Sequence, residues 1–363
     1  MERQTILKEL QKDGLQILID RTNEVFRTPF WKRLFDWKYT VELNWTSYLG
    51  KVQNSVAATV TSFNAAAPLR TRKTMRKTTG EIPKIQEMFQ MDEKDLRTYL
   101  QLAQSADADE AELLAIYFDD IKKAAEAPHK RLDMFSLEGL STGKITIDTS
   151  NNPDGMVLEE AVDLGMPVDN KYGTQGEVWN NATGATPITD ITKVRDDAMG
   201  NGKILTKMYM RRSVFNNMRK SAEVKDAVSF WATGKKTGKV AMTLDYVNEY
   251  LQAEGLPVIE IVEIPINIES KDGSVTTVQP FSQYNVAFVA QQKLGKMYHT
   301  FSVEKLHKDP IKTYATVDNV LLKQWNQPSP LMEFTACELL AFPAFNEIER
   351  IYLLNTNNKT TFS

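Results

Sequence analysis

The chain has 363 residues, 42% of them hydrophobic and 25% charged, which is the composition of an ordinary globular protein. Its 44 Lys and Arg against 47 Asp and Glu give a formal net charge of −3, typical neither of a basic nucleic-acid binder nor of an acidic disordered chain. One cysteine, Cys337, excludes an internal disulfide framework and a cysteine-based zinc cluster and fits a reducing compartment. We expect no membrane helix and no signal peptide, because no long apolar run exists and charges interrupt the first 20 residues.

The N-terminal region combines an amphipathic segment with a dense group of aromatic residues. Apolar residues at helical spacing predict a helix or arm over residues 1–27, packed either on its own domain or on a neighbouring copy. Pro29 favours a short helix around residues 31–35, and we expect the aromatic rings of residues 29–49 to lie in a core. Alternation with polar residues predicts a strand through Tyr39, Val41, Leu43 and Trp45.

A strongly basic segment follows. The small, polar and β-branched residues of 51–92 predict a long β-hairpin that extends away from any core, with Gly80 between its two strands. The window 70–84 holds six basic residues and one acidic residue, a net charge of +5. The hairpin is either a solvated loop or a docking arm. Its candidate inter-subunit residues are Arg70, Arg72, Lys73, Arg76 and Lys77.

The longest helical pattern covers residues 107–137, with one apolar stripe at spacings of four and three. Pro128 is expected to kink this helix, and Gly139 and Gly143 to end it. Its first half, 107–120, holds six acids and no base, a net charge of −6 that complements the helix dipole. The acidic residues are Asp107, Asp109, Glu110, Glu112, Asp119 and Asp120.

The remaining chain alternates short strands and helices, which predicts an α+β fold. A glycine-containing loop is expected over 165–187, and Thr189 or Asp190 is expected to cap the helix that follows. The predicted helices are 189–199, 213–230 and 243–254, and the predicted strands are 144–149, 156–164, 204–210, 258–268 and 285–290. From Thr313 the tail is expected to return to strands, notably 332–340 and 348–354.

The sequence offers no catalytic constellation and no cofactor site. Two glycine segments, starting at Gly139 and Gly234, have three residues between their glycines where a phosphate-binding loop has four. Each also places an aliphatic residue where a Ser or Thr holds magnesium. We expect His299 and His307 to be surface or structural residues. A chain of this length with two extensions and no reactive site predicts a structural building block rather than an enzyme.

An ordered set of local sequences resembles one known family. The set begins with the proline-aromatic segment Pro29–Phe35, continues with Pro68–Arg72 and Ala111–Ala115, and ends with Asn285–Gln291 and the segment around Glu333–Leu340. Together these segments resemble the major capsid proteins of tailed bacteriophages, of the lambda-like E type, from about Thr28 to Leu354. That family carries no catalytic residues, so the resemblance transfers none.

The resemblance implies a Hong Kong 97-type capsid fold with an N-terminal arm, an extended β-hairpin loop, a peripheral domain with a long spine helix, and an axial α/β domain. It further implies hexamers and pentamers that tile an icosahedral shell around double-stranded DNA. The implied segments are an arm at 1–50, an extended loop at 51–92, a peripheral domain at 93–190, an axial domain at 191–302, a peripheral return at 303–342 and a final axial strand and tail at 343–363.

The partners also follow from the resemblance. We expect a separate scaffolding protein, a portal protein at one vertex, no membrane, a virion location and assembly in the host cytoplasm; a decoration protein is left open. Lys73, Lys77 and Lys84 lie in the loop where one branch of the fold forms a covalent crosslink, but we do not expect one here. In this fold the loop lies across an adjacent subunit, so the basic loop is predicted to dock on a neighbour's acidic helix. An encapsulin-like compartment shell is the alternative function.

Overall fold

The computed structural model describes residues 28–49, 76–103, 110–235, 241–290 and 293–359. The predicted arm at 1–27 and most of the predicted extended loop, 50–75, lie outside the described residues. The chain divides into two compact units. Unit one takes its described residues from Met1–Trp45, Gly80–Asp133 and Lys296–Pro343, and unit two from Thr46–Thr79, Met134–Gly295 and Ala344–Ser363.

The elements of the described residues are numbered here in chain order. The helices are α1 Trp31–Leu34, α2 Glu93–Ala103, α3 Glu110–Thr142, α4 Pro187–Gly200, α5 Arg212–Met218, α6 Ala222–Thr233, α7 Leu244–Ala253 and α8 Val303–Leu306. The strands are β1 Phe35–Tyr39, β2 Asn44–Leu49, β3 Arg76–Glu81, β4 Lys84–Met91, β5 Lys144–Ile145, β6 Val162–Asp163, β7 Lys171–Thr174, β8 Lys207–Met210, β9 Val258–Ile261, β10 Ile266–Glu269, β11 Val275–Val278, β12 Asn285–Val289, β13 Gly295–Thr300, β14 Thr313–Val317, β15 Val320–Pro328, β16 Leu331–Ala344 and β17 Ile351–Lys359.

Unit one is built on a six-stranded sheet with the order β1-β13-β16-β15-β14, in which β4 also pairs with β16. The 14-residue strand β16 is therefore its centre, antiparallel to both β15 and β4. Aromatic side chains fill the core around it: Trp31 and Phe35 are buried, and the ring of Trp45 stacks on Phe342 with centroids 5.2 Å apart. Three of the aromatic residues thus lie in a core as the sequence predicts, whereas Tyr39 and Tyr48 are exposed.

Unit two is built on a five-stranded mixed sheet, β7-β17-β12-β8-β9. Strand β12 is antiparallel to β8 and β17, whereas the outer pairs β8–β9 and β17–β7 are parallel. The helices α4 to α7 contribute to its core, where Val194, Phe215 and Val247 lie in one cluster with Phe288 and Tyr352 of the sheet. This mixture of helix and sheet confirms the α+β prediction.

The long helix is confirmed and runs further than predicted, over Glu110–Thr142 with Pro128 inside it. Its described apolar stripe is buried, including Ile121 and Leu132. Gly143 follows the helix with φ of 74°, the left-handed conformation of a helix end. Gly139 does not end the helix; it leaves room for packing, because a Cβ there would come within 2.7 Å of the ring of Phe345.

The strand predicted through Tyr39, Val41, Leu43 and Trp45 is wrong. Strand β1 ends at Tyr39 and β2 begins at Asn44, and the side chains of Tyr39, Val41 and Leu43 are exposed. The backbone between them turns aside to meet other elements: Thr40 N donates to His299 O and Ile82 N donates to Leu43 O. These non-local hydrogen bonds override the local alternation.

The predicted pairing of the hairpin strands is also wrong for its described part. Gly80 lies inside β3, and β3 pairs with β2 while β4 pairs with β16. A Cβ at position 80 would lie 2.7 Å from Nε1 of Trp45, so the glycine serves close packing on the indole. Strand β4 therefore belongs to the central sheet of unit one, inside the range assigned to the extended loop.

The predicted helix 213–230 is two helices, α5 and α6, because Ser221 caps a new start by accepting a hydrogen bond from Val224 N. The helix predicted from 189 begins at Pro187 with Thr186 as its N-cap residue. Asp190 is buried instead, and accepts hydrogen bonds from Trp179 Nε1 at 2.8 Å and Gln175 N at 2.6 Å.

Some strands are shorter than the sequence predicts, and others lie where the sequence predicts none. The predicted strands 144–149 and 156–164 shrink to two residues each, and the predicted loop contains β7. Helix α2 and strand β11 had no sequence prediction, whereas β14 and β15 confirm the strands expected from Thr313 onward. The predicted helix 243–254 is confirmed as α7, with the hydroxyl of Thr243 accepting from Tyr246 N.

Candidate inter-subunit surfaces

Few of the predicted docking residues have described side chains. Arg70, Arg72, Lys73, Asp107 and Asp109 lie outside the described residues. Only the backbone is described for Arg76 in β3 and for Glu110 and Glu112 in α3, so the side chains that remain are Lys77, Asp119 and Asp120.

The described acids of α3 are partly compensated within the helix. Lys123 Nζ lies 2.6 Å from Asp119 Oδ2 and 3.9 Å from Asp120 Oδ1. Burial raises the pKa of Asp120, with Lys123 acting in the opposite direction. The helix therefore presents less negative charge at these two positions than its sequence alone predicts.

The first described residues, which follow segment 1–27, are fixed by a buried aromatic cluster in unit one. The backbone N–H of Trp31 donates to Asp133 Oδ1 of α3 at 2.7 Å. Its ring stacks on His129 with centroids 5.9 Å apart and meets Trp37 edge-on at 4.6 Å. Helix α1 presents this indole to α3, so this hydrogen bond and these ring contacts hold the chain that follows segment 1–27 on unit one.

A tight turn completes this cluster, which we call the arm root. Asp318 and Asn319 form the two-residue connection between β14 and β15, with φ of 46° and 69°, as a hairpin turn of this length requires. The turn presents the Asp318 carboxylate to Lys32 Nζ at 2.6 Å and to Trp37 Nε1 at 3.1 Å. His129 Nε2 lies 3.3 Å from the same carboxylate, yet burial lowers the pKa of His129 to about 4, against the pull of Asp318.

A buried charge network, here called the lysine–glutamate network, lies at the start of β4 in unit one. Lys323 Nζ lies 2.5 Å from Glu304 Oε2 and 2.7 Å from Glu338 Oε2. Lys84, the first residue of β4, reaches the same Glu338 oxygen at 3.1 Å. Lys323 is 8% exposed and Glu338 4% exposed, so both charges depend on one another.

The ionisation of the network follows from its hydrogen bonds. Burial would raise the pKa of Glu304, but hydrogen bonds from Lys312, Lys323 and Tyr314 outweigh it and lower that pKa to about 2. The pKa of Glu338 is also lowered, because bonds from Lys323, Ser302 and Lys84 outweigh its burial. Both glutamates are therefore ionised near neutral pH, and the Lys84–Glu338 ion pair joins β4 to β16 in addition to their backbone ladder.

The described residues form no reactive centre. They contain no group of three or more His, Cys, Asp and Glu side chains that could hold a metal ion. A cavity of about 200 Å³ in unit one is lined by Tyr39, His299, Ser302 and Glu338 among others. The Ser302 hydroxyl donates to Glu338, whose lowered pKa makes it a weak base. Burial raises the pKa of the Cys337 thiol to about 12, which makes it a poor nucleophile.

The positions of the two histidines agree with a structural role. His299 meets Trp37 and Tyr39 edge-on at 4.9 Å and 5.5 Å, and His307 is exposed.

Sequence reasoning missed the arm root and the lysine–glutamate network, because each joins residues far apart in the chain. The one local signal was the Asp318–Asn319 pair between two apolar segments, which is typical of a hairpin turn. No helix of the described residues is long and apolar enough to cross a membrane.

Comparison with known proteins gives one family and a set of related folds. The family model described as phage major capsid protein E matches residues 20–349. No curated protein matches the chain.

Two solved structures share the fold at low sequence identity. One, assigned as a prophage capsid protein from Escherichia coli CFT073, is 14% identical, with a TM-score of 0.53, and the match covers 94% of this chain and 96% of that chain. The other, a phage-related protein from Bordetella bronchiseptica RB50, is 10% identical, with a TM-score of 0.50, and the match covers 94% and 97%.

Proposed function

Because the chain belongs to the phage major capsid protein E family, we propose that its copies form the hexamers and pentamers of an icosahedral head that encloses double-stranded DNA. The protein is a structural component of a phage capsid shell and not an enzyme. Its fold is of the Hong Kong 97 type. The observation that carries the proposal is the family match over residues 20–349.

Electron microscopy of the purified protein tests this function. The expected result is closed shells with five-fold vertices and six-fold faces. A protein that stays monomeric at high concentration, alone and with the other head proteins of its phage, would contradict the proposal. An encapsulin-like compartment is not favoured. A gene neighbourhood with portal and terminase genes would support a phage head directly.

The segment assignment given above is part of the proposal. An axial domain at 191–302 would supply β8, β9 and β12, three of the five strands of the unit-two sheet, together with α5 to α7. The spine helix α3 has its first residues in unit one and its last turns in unit two. The arm at 1–50 and the extended loop at 51–92 would reach neighbouring subunits. The arm root and the lysine–glutamate network are suited to hold their unit-one ends.

We propose that the basic loop docks on the acidic helix of a neighbouring subunit. Each exposed pair contributes only about 0.2–1 kcal/mol, so several pairs must act together, and the contact weakens as salt rises. Lys123 already pairs with Asp119 and Asp120, so these two acids contribute less to docking. The four acids at positions 107–112 are then the principal partners of the basic loop.

Charge reversal tests the docking. Changing Arg70, Arg72, Arg76 and Lys77 to Glu is expected to leave a folded subunit that does not assemble, and reversing Asp109, Glu112 and Asp119 in the same chain is expected to restore part of the shell yield. Normal assembly of the fourfold variant at low salt would show that backbone and apolar contacts hold the loop instead.

The remaining partners belong to the same proposal. A separate scaffolding protein would control shell size, a portal protein would occupy one vertex, and assembly would take place in the host cytoplasm. Co-expression with the neighbouring head genes, followed by microscopy, compares shell uniformity with and without each partner. Uniform, correctly sized shells from the capsid protein alone would contradict the need for a scaffold.

A further inference from the structure

The sheet of unit two has an edge strand, β9, that could accept a further strand. Strand β9 stands last in the order β7-β17-β12-β8-β9, and within the described residues no strand pairs with its outer side. Its sequence, Val258–Ile261, consists of three β-branched residues and one glutamate, a composition that favours strand pairing. An open edge of this kind is a template on which a strand of another chain can add.

The hydrogen bonds toward β8 show which backbone groups of β9 point outward. Val258 N donates to Thr206 O, just before β8, at 3.2 Å, and Val262 N donates to a carbonyl oxygen of β8 at 2.9 Å. Because the backbone groups of successive strand residues alternate in direction, the N–H and C=O groups of Ile259 and Ile261 point away from β8. The outer edge of β9 therefore consists of the backbone groups of these two isoleucines.

The side chain of Asn248 in α7 covers the first of these two residues. Its Nδ2 donates to Ile259 O at 3.0 Å, and its Oδ1 accepts from Ile259 N at 2.8 Å. A carboxamide carries a donor and an acceptor side by side, so it satisfies both outward groups of one residue, as a neighbouring strand would. An incoming strand would have to displace Asn248 or make do with the bonds to Ile261.

The end of α7 brings Asn248 to this edge. The chain reverses after the helix at Gly255, whose φ is 65°, and Leu256 N donates to Leu251 O at 2.8 Å. Val247 lies fully buried in the core of unit two. Asn248, the next residue, therefore lies beside the buried face of α7 and next to β9.

We propose that Asn248 guards the edge of the unit-two sheet, and that without it folded subunits add to one another strand to strand through β9. The strand that it excludes is β9 of a second copy, because every subunit carries the same β-branched edge and two such edges can pair by twofold symmetry. The proposal concerns the unassembled subunit and does not rest on the shell function.

Removal of the carboxamide is the first test, on purified full-length subunits kept below the concentration at which wild type assembles. Asn248→Ala should raise the hydrogen-exchange rate of the Ile259 amide by about tenfold or more, because that amide loses its acceptor. Light scattering and thioflavin T fluorescence should then rise under conditions in which the variant is still folded. Wild type should stay dispersed and bind no dye.

The matched control is Val247→Ala, one position earlier on the same helix. Val247 is 0% exposed, so its truncation leaves a cavity and lowers the melting temperature, but it leaves the edge of β9 covered. Below the melting temperatures of both variants, Val247→Ala should stay dispersed while Asn248→Ala associates. Equal association of the two variants would show that partial unfolding and not edge exposure is responsible, and would overturn the proposal.

A second variant carries the test if Asn248→Ala does not fold. Asn248→Asp keeps an acceptor for Ile259 N but cannot donate to Ile259 O at neutral pH. Its association should lie between that of wild type and that of an uncovered edge.

Two other results would overturn the proposal. An unchanged exchange rate of the Ile259 amide in Asn248→Ala would show that the side chain does not cover the strand. Faster exchange without association, in the alanine or the aspartate variant, would show that the uncovered edge does not pair. A wild-type protein that forms no shells would contradict the proposed function and would leave this inference standing.

Discussion

The lysine–glutamate network makes the stability of the unassembled subunit depend on Glu304, and Glu304→Gln is the variant that removes its charge. Glu304 accepts from Lys312 and Tyr314 through Oε1 and faces Lys323 through Oε2. Glutamine keeps the size of the side chain but leaves Lys323 with only Glu338 as an ionised partner at this site. The expected effect at pH 7 is therefore a lower free energy of unfolding, not a loss of the fold.

The magnitude follows from the pKa of Glu304, which is lowered from 4.5 to about 2. A shift of this size corresponds to about 3 kcal/mol of stability. Since the folded state lowers the pKa, that stability is fully present above pH 4.5 and is lost as the pH falls towards 2. Wild type and Glu304→Gln should differ by about 3 kcal/mol at neutral pH and converge near pH 2.

Urea unfolding of the subunit at several pH values, followed by tryptophan fluorescence, measures this difference. Trp325 is a suitable local probe, because Lys312 Nζ lies 4.9 Å from the centroid of its ring. The matched control is Glu263→Gln, whose side chain is 48% exposed and lies 3.8 Å from Arg212, and it should change the unfolding free energy by less than about 0.5 kcal/mol. A pH-independent difference between Glu304→Gln and wild type would refute the reasoning, since it would show that shape and not charge is lost.

Three further outcomes can be measured on the same subunit. The imidazole of His129 should stay neutral down to about pH 4 in NMR titration, because burial lowers its pKa. The wild-type subunit should therefore lose stability as the pH falls from 6.5 to 4, and His129→Phe should reduce that loss. Gly295→Ala should clearly lower the melting temperature, because the added Cβ would lie 2.0 Å from the carbonyl oxygen of Ala344. The control Gly200→Ala should leave it unchanged, because no atom lies within 4 Å of the added Cβ. Equal melting temperatures of the two variants would contradict the close packing at Gly295. Cys337 should react with a thiol reagent only at the unfolding rate, and rapid reaction of the folded subunit would show that it is not buried.

The helices that the sequence predicted well are those whose information is local. Apolar spacing located α3 to within a few residues at each end, and Thr243 marked the start of α7. The spacing of the glycines predicts no phosphate-binding loop at Gly139, and that residue lies inside α3. Helix periodicity and capping depend on residues three or four apart, which is why a single sequence contains them.

The strands were predicted less well because their partners are distant in the chain. Tyr39, Val41 and Leu43 alternate as a half-buried strand does, but hydrogen bonds to His299 and Ile82 set the backbone there. Strand β4 was assigned to a free hairpin, yet it pairs along β16, some 250 residues later. Strand propensity mainly reflects packing against such neighbours, so it cannot be evaluated before they are known.

Composition and pattern alone predicted an α+β building block, and the ordered set of local sequences pointed to the family that the match over residues 20–349 shows. Only the tertiary structure decided which side chains meet at the arm root and in the lysine–glutamate network. Asp318 meets Lys32 and Trp37 across about 280 positions, and Lys323 is buried between two glutamates from different elements. Buried charges are retained only with partners in place, and those partners are brought together by the fold.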